Sequence, residues 1–192
     1  MGIFGRWAVT RLRERASSKQ RLFEACIRSG DAAGALRHSQ QQENAITELT
    51  AREPHEKFHL FLLAGVFYNR ATVLDAIGRG SDAVAAARSA VRTYTNFDPA
   101  AGSPGAVERQ LREMRSDAVA AETLIAHTAD ARARLARLLA KYEGRAQAEA
   151  VHRHGKAAIE TYEALLRYGD ETTWADVDRV VAQYEAAKEH LR

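Results

Sequence analysis

A chain of 192 residues with 46% hydrophobic and 28% charged side chains is long enough for one domain with its own core and too apolar for general disorder. Its 28 Lys and Arg stand against 25 Asp and Glu for a net charge of +3, and no apolar run reaches the about 18–20 residues of a membrane span, so a soluble chain is expected. The single Cys26 excludes an internal disulfide framework and a cysteine-based zinc cluster, which makes a reducing compartment the expectation.

Alanine makes up about a fifth of the chain, and proline occurs only at Pro54, Pro99 and Pro104, a composition that favours helix. Apolar residues recur at three-to-four spacing, as in Val66, Ala71, Leu74 and Ile77, and not in alternating runs, so an all-α protein is expected. Lysine is confined to Lys19, Lys57, Lys141, Lys156 and Lys188, which together with the alanine content points to a high-GC bacterial genome.

The chain opens with a basic helix over residues 1–16, whose patch is Arg6, Arg11, Arg13 and Arg15 with only Glu14 opposing it. Over residues 1–28 seven basic side chains face Glu14 and Glu24, a net +5 that leaves about −2 for the remainder of the overall +3. No apolar segment of about 7–15 residues follows the basic start, as a secretory signal needs, so a cytoplasmic location is expected. Trp7, Val9 and Leu12 read as the face that packs on the following helices. The alternative is an anionic surface, nucleic acid or membrane, met by the arginines with Phe4 and Trp7 dipping into a headgroup layer.

From residue 17 onward the sequence is punctuated as helix hairpins. Residues 61–99 contain an amphipathic helix, a Gly-Arg-Gly-Ser-Asp break, a second helix rich in small residues, and Pro99 as a stop. Gly78 releases the first helix, Ser81 is placed to cap the second, and Ala83, Ala87 and Ala90 allow close approach of two antiparallel helices. Val66, Phe67, Leu74 and Ile77 are expected to fill the space between hairpins.

Ala71, Leu74, Gly78, Ala83 and Ala90 resemble the signature of a tetratricopeptide repeat, and the late Pro99 is similar to the longer repeats of actinobacterial regulators and kinesin-light-chain-like arrays. Weaker copies occupy about 17–54, with Phe23, Gly30, Asp31, Ala35 and Pro54, and about 129–169, with Ala136, Leu139, Gly144, Ala148 and Gly155. The resemblance implies a right-handed superhelical stack of antiparallel helix hairpins, an α-solenoid, with repeats at 17–54, 55–99 and 129–169. An extra helix is expected over 104–126, started by Ser103 and Pro104 and continued by Val107, Leu111 and Met114, with a break near His127–Asp130 left open. A final helix over 173–191, with Trp174, Val177, Val180, Val181, Tyr184 and Ala187 on one face, would cap the stack.

The sharpest catalytic string is His55-Glu56-Lys57-Phe58-His59, which fits the H-E-x-x-H zinc pattern. Pro54 places His55 at a frayed helix start, Lys57 adds a positive charge, and no third His or Glu ligand follows before Glu108, so the string reads as the first turn of a repeat helix. His152 and His154 point about 200° apart on a helix and cannot share a metal. Cys26 lies among Leu22, Phe23 and Ile27 with no triad partner and reads as a buried thiol. No catalytic residue, cofactor or metal is expected, and the chain reads as non-enzymatic.

In a tetratricopeptide-like stack the first helix of each hairpin lines a concave groove, and the resemblance places Tyr68, Asn69, Thr72 and Asp75 there from one repeat and Asp130, Ala133, Arg134 and Arg137 from another. Asn69 and Arg134 fall where carboxylate-clamping relatives carry Asn and Arg, whereas Gln20, Glu24 and Asp130 depart from that pattern. The expected function is an adaptor or regulatory scaffold that holds a partner peptide or helix, with a second copy of the chain as a further partner. The alternative is a sensor of a small ligand or signalling peptide whose basic N-terminal helix engages DNA or anionic membrane.

Overall fold

The computed structural model describes residues 3–97, 118–169 and 172–192, together with residues 106 and 109. The protein is all-α, with no strand among the described residues, and no described helix is long and apolar enough to cross a membrane. It divides into two compact units, Met1–Ala86 and Ala87–Arg192.

The first unit contains α1 (Ile3–Ser29), α2 (Ala32–Arg52), α3 (Phe58–Ala76) and the start of α4 (Gly80–Phe97), within which the division falls. Val9, Leu12, Ala16 and Phe23 form a helical stripe on α1 that buries against α2 and α3. Ile46 and Leu49 of α2 are fully enclosed, and such burial contributes about 1.5–3 kcal/mol for each side chain. Basic helix and first repeat helix are one element: α1 passes the expected boundary at residue 16 without a break. The apolar stripe supplies the reason, since Ala16 and Phe23 continue the face that Val9 and Leu12 begin. Trp7 departs from expectation in the other direction. It is 58% exposed, because it lies off that stripe, and Arg11 stacks over its ring at 3.9 Å.

Turns follow from local chemistry. Gly30 and Gly78 take positive φ of 75° and 76°, a region that costs glycine nothing and a side chain about 1–2 kcal/mol. Each lets the next amide reach back to the last helical turn, Asp31 N to Cys26 O at 2.9 Å and Arg79 N to Leu74 O at 2.9 Å. The Asp31 carboxylate then caps α2 by accepting from Gly34 N at 2.7 Å. Because α4 already begins at Gly80, Ser81 lies inside its first turn and not at its cap. Cys26 is half-buried beside Asp31, more open than expected. On α3, Val66 and Leu74 are buried while Ile77, at the helix end, is exposed.

The second unit contains the rest of α4, α5 (Ala118–Glu143), a 3-10 turn at Gly144–Gln147, α6 (Ala148–Tyr168) and α7 (Trp174–Glu189). Its core joins Ile125, Ala129 and Ala133 of α5, Ala158, Tyr162 and Leu165 of α6, and Val177 and Val180 of α7. α7 therefore packs on both preceding helices. Tyr184 of α7 lies flat on α6 at Gly155, where an added Cβ would overlap its ring, and its hydroxyl meets His152 Nδ1 at 2.7 Å. Thr173 and Asp176 form a reciprocal capping box, and the hydrogen bonds from the Thr173 amide and hydroxyl hold the Asp176 carboxyl below its usual range. Trp174 is 70% exposed and takes no part in the expected apolar face, since it occupies the first position of α7, ahead of the buried turn at Val177.

α5 runs through His127–Asp130 unbroken, so where the expected extra helix and the first helix of the third repeat are described they form a single 26-residue element. Ser103, Pro104, Val107, Leu111, Met114 and Pro99 lie outside the described residues. At 27 and 21 residues, α1 and α2 together already exceed the about 34 residues of a whole tetratricopeptide unit.

Candidate partner-binding cleft

The first unit holds a cleft of about 780 Å³ between α1, α2 and the start of α3. Ala16, Ile46 and Leu49 supply its apolar floor. Phe58 and Leu62, one helical turn apart on α3, stand on its rim, and Phe58 is 52% exposed although its ring stacks with Phe61 at 5.5 Å. Arg13, Gln20 and Arg21 of α1 and Gln42 of α2 add polar groups, so most of the charge at the mouth is positive, with Glu56 as the carboxylate lining it. At this volume the cleft lies within the about 300–1,000 Å³ range of sites that enclose a sizeable organic group.

His59 and Gln42 are the buried polar members of the lining, His59 being 3% exposed on the first turn of α3. Its position follows from Pro54, which disfavours helical backbone at Glu53 and so ends α2 at Arg52; the chain then turns through Pro54–Lys57 and brings His59 back to Glu53. His59 Nε2 and Glu53 Oε2 are 2.9 Å apart, and the same oxygen accepts from Arg13 Nη2 at 2.9 Å. The hydrogen bond from His59 is the main cause holding the Glu53 carboxyl below its ordinary value; burial opposes it and Arg13 reinforces it. Nε2 is engaged with Glu53, whereas Nδ1 is buried with no hydrogen-bond partner. Such a group costs about 1–3 kcal/mol until a polar partner reaches it.

The residues expected to line a groove fall in both units. Tyr68, Asn69, Thr72 and Asp75 lie on α3, with Thr72 exposed, donating through its hydroxyl to Tyr68 O at 3.2 Å, and the others half-buried. Asp130, Arg134 and Arg137 lie on α5 in the second unit, where all three are half-buried. Asp130 is committed to its own unit: its Oδ1 accepts from Tyr162 Oη at 2.9 Å and from Arg179 Nη1 at 3.1 Å. Of the basic patch, Arg13 joins the cleft through Glu53, Arg11 stacks on Trp7 and lines a shallow depression with Arg15, and the side chain of Arg6 lies outside the described residues. His55 stands in the turn before α3 and His59 on the helix proper, so the one-turn helical spacing that two zinc-binding imidazoles need does not arise.

Phe58, Leu62, Gln42 and Glu53 were not singled out from the sequence. A signal existed in Phe58-His59-Leu60-Phe61-Leu62-Leu63, which is apolar nearly all round, so some apolar side chains had to remain outside the core. No protein-family model matches the chain, and no curated protein matches it.

Proposed function

We propose that the protein is a non-enzymatic, cytoplasmic interaction module that holds an acidic segment of a partner protein, anchored by a tyrosine or tryptophan, in the cleft between α1, α2 and α3. The observation that carries this reading is a cleft with Ala16, Ile46 and Leu49 at its base and the exposed apolar side chains of Phe58 and Leu62 on its rim. An aromatic anchor fits that floor and gains most of its affinity there, as buried aromatic hot spots do. Tyr or Trp joins an apolar body to a polar tip that can reach the unpartnered His59 Nδ1. An acidic flank complements Arg13 and Arg21 at the mouth. We place the hairpins in a right-handed tetratricopeptide-like stack with α7 as its cap; the left-handed glycine turns and the buried alanines of α4 support that arrangement.

The test is selection of binding peptides from a random displayed library on the full chain, followed by affinity measurement with Phe58→Ala, Leu62→Ser and a Tyr68→Ala/Asn69→Ala variant. Enriched peptides are expected to carry Tyr or Trp beside Asp or Glu and to lose at least tenfold in affinity with either cleft variant, with little change for the α3 pair. Equal binding by the cleft variants would falsify the cleft as the site. Loss with Tyr68→Ala/Asn69→Ala alone would move the site to that face of α3. A second reading, a regulator whose N-terminal helix meets DNA or anionic membrane, is favoured by the exposed Trp7 under Arg11, and it predicts retention on anionic vesicles or duplex DNA that salt and Trp7→Ala abolish.

A further inference from the structure

The second unit contains a different kind of concavity. Arg88 and Arg92 stand one turn apart on α4, Arg153 and His154 lie on α6, and Val91, Leu135, Leu139 and Ala150 form the floor of a cleft of about 280 Å³ between them. Three guanidinium groups line it and no carboxylate does. The nearby carboxylates are engaged, Glu143 with Arg88 Nη2 at 2.8 Å and Glu149 with Arg153 Nη1 at 3.6 Å, the latter an exposed pair of little strength. Behind the site Arg132 of α5 is only 8% exposed and adds a buried positive charge.

We propose that this cleft binds a phosphate anion, as the phosphoryl group of a small organic phosphate. Size excludes a larger occupant, since the cavity falls just below the about 300 Å³ at which pockets enclosing whole drug-sized ligands begin. Charge selects the anion: guanidinium forks match phosphate oxygens two at a time, and three arginines line this cleft, with Arg88 also paired to Glu143 and Arg153 to Glu149. The apolar floor under the cationic rim takes the organic remainder of a monoester.

His154 provides an internal reporter. Burial, then the neighbouring Arg132, Arg153 and Arg88, push its pKa down to about 4, so at neutral pH it is uncharged. The charged groups around it are Arg88 and Arg92 from α4, Arg132 and Glu143 from α5, and Glu149 and Arg153 from its own helix. A bound phosphate, a monoanion in the acid range where His154 titrates, offsets the positive charge of the surrounding arginines and favours the imidazolium, so occupancy raises the His154 titration midpoint.

The experiment follows the His154 imidazole by nuclear magnetic resonance on the full chain, at constant ionic strength set with chloride. Inorganic phosphate, phenyl phosphate and chloride alone are the three arms. The midpoint is expected to rise saturably by one unit or more with phosphate, a tenfold change in proton affinity. Tighter saturation by phenyl phosphate identifies an organic monoester as the ligand type, and equal saturation identifies free phosphate. Arg92→Gln, at an exposed position, and Arg153→Gln are each expected to weaken saturation at least fivefold while leaving the thermal midpoint unchanged. A His154 midpoint no higher in phosphate than in chloride overturns the site, as does undiminished saturation in the Arg92→Gln/Arg153→Gln double variant.

Discussion

Glu53 and His59 share a 2.9 Å hydrogen bond across the turn that joins α2 to α3, and Arg13 of α1 closes on the same carboxylate oxygen. One oxygen thus ties three helices together at the edge of the cleft. Because the Glu53 carboxyl is lowered in the folded state, the unfolded chain binds its proton more readily in the acid range. The linked stability is present above the unfolded value of about 4.5 and is lost as pH falls through the folded one. Urea midpoints recorded from pH 7 to pH 3 are expected to fall below pH 5, and Glu53→Gln to flatten that fall; an unchanged slope in the variant refutes the linkage.

His154 titrates in a separate window and with a different origin. Its folded pKa near 4 lies below the ordinary 6.5, so between those values the unfolded state holds more protons and stability climbs as pH rises. Complete burial would set the span at about 3 kcal/mol, and partial solvent access reduces it to about 1–2 kcal/mol. His154→Gln removes the titrating group, and the slope between pH 5 and 6.5, above the range of Glu53, is expected to diminish in equilibrium unfolding. A variant that keeps the slope places its origin elsewhere.

Gly155 and Tyr184 form the closest helix-to-helix approach named in the second unit. Gly155→Ala drives a Cβ into the Tyr184 ring and is expected to cost about 1–3 kcal/mol. Denaturant unfolding checks the loss, and Gly155→Ala/Tyr184→Leu should recover part of it, since the smaller side chain leaves room. No recovery in the double variant means that the strain lies in α6 itself.

The hydroxyl of Tyr162 donates to Asp130 and accepts from Arg179 at 3.1 Å, and burial, followed by the Asp130 charge, raises its pKa well above the ordinary phenol value. Tyr162→Phe leaves Asp130 with one donor fewer and is expected to cost about 1–3 kcal/mol. Asp130→Asn is expected to lower stability without changing peptide affinity at the α1–α3 cleft. Spectrophotometric titration near pH 10 is expected to give the same absorbance change for the folded protein and for Tyr162→Phe, because Tyr162 is silent there; a larger change in the unsubstituted protein refutes the network.

Helices and hairpin ends were legible because they depend on neighbours in sequence. Gly30 and Gly78 stand where a side chain would be strained, and Asp31 caps the helix that follows, all within a few residues. Faces were less legible. Val9 and Leu12 are buried as their spacing implies, while Trp7 lies about 160° around the helix from Val9, off the stripe that Ala16 and Phe23 continue. Tertiary partners were not legible either, as at Asp130, whose partners Tyr162 and Arg179 come from two other helices. The cleft was hidden for the opposite reason: Phe58 and Leu62 sit in a segment so apolar that periodicity assigns it no outer side.

The continuity of α1 turns a single helix into a ruler. Trp7, at one end of the described side chains, and Ala16, on the cleft floor, are nine residues apart on a rod that rises about 1.5 Å per residue, which fixes them about 14 Å from each other. An extended strand covers that span in about four residues, a helical one in about nine. Inserting a residue between Arg13 and Ala16 would both lengthen the measure and rotate Trp7 by about 100°, so any partner that reads both marks would lose them together.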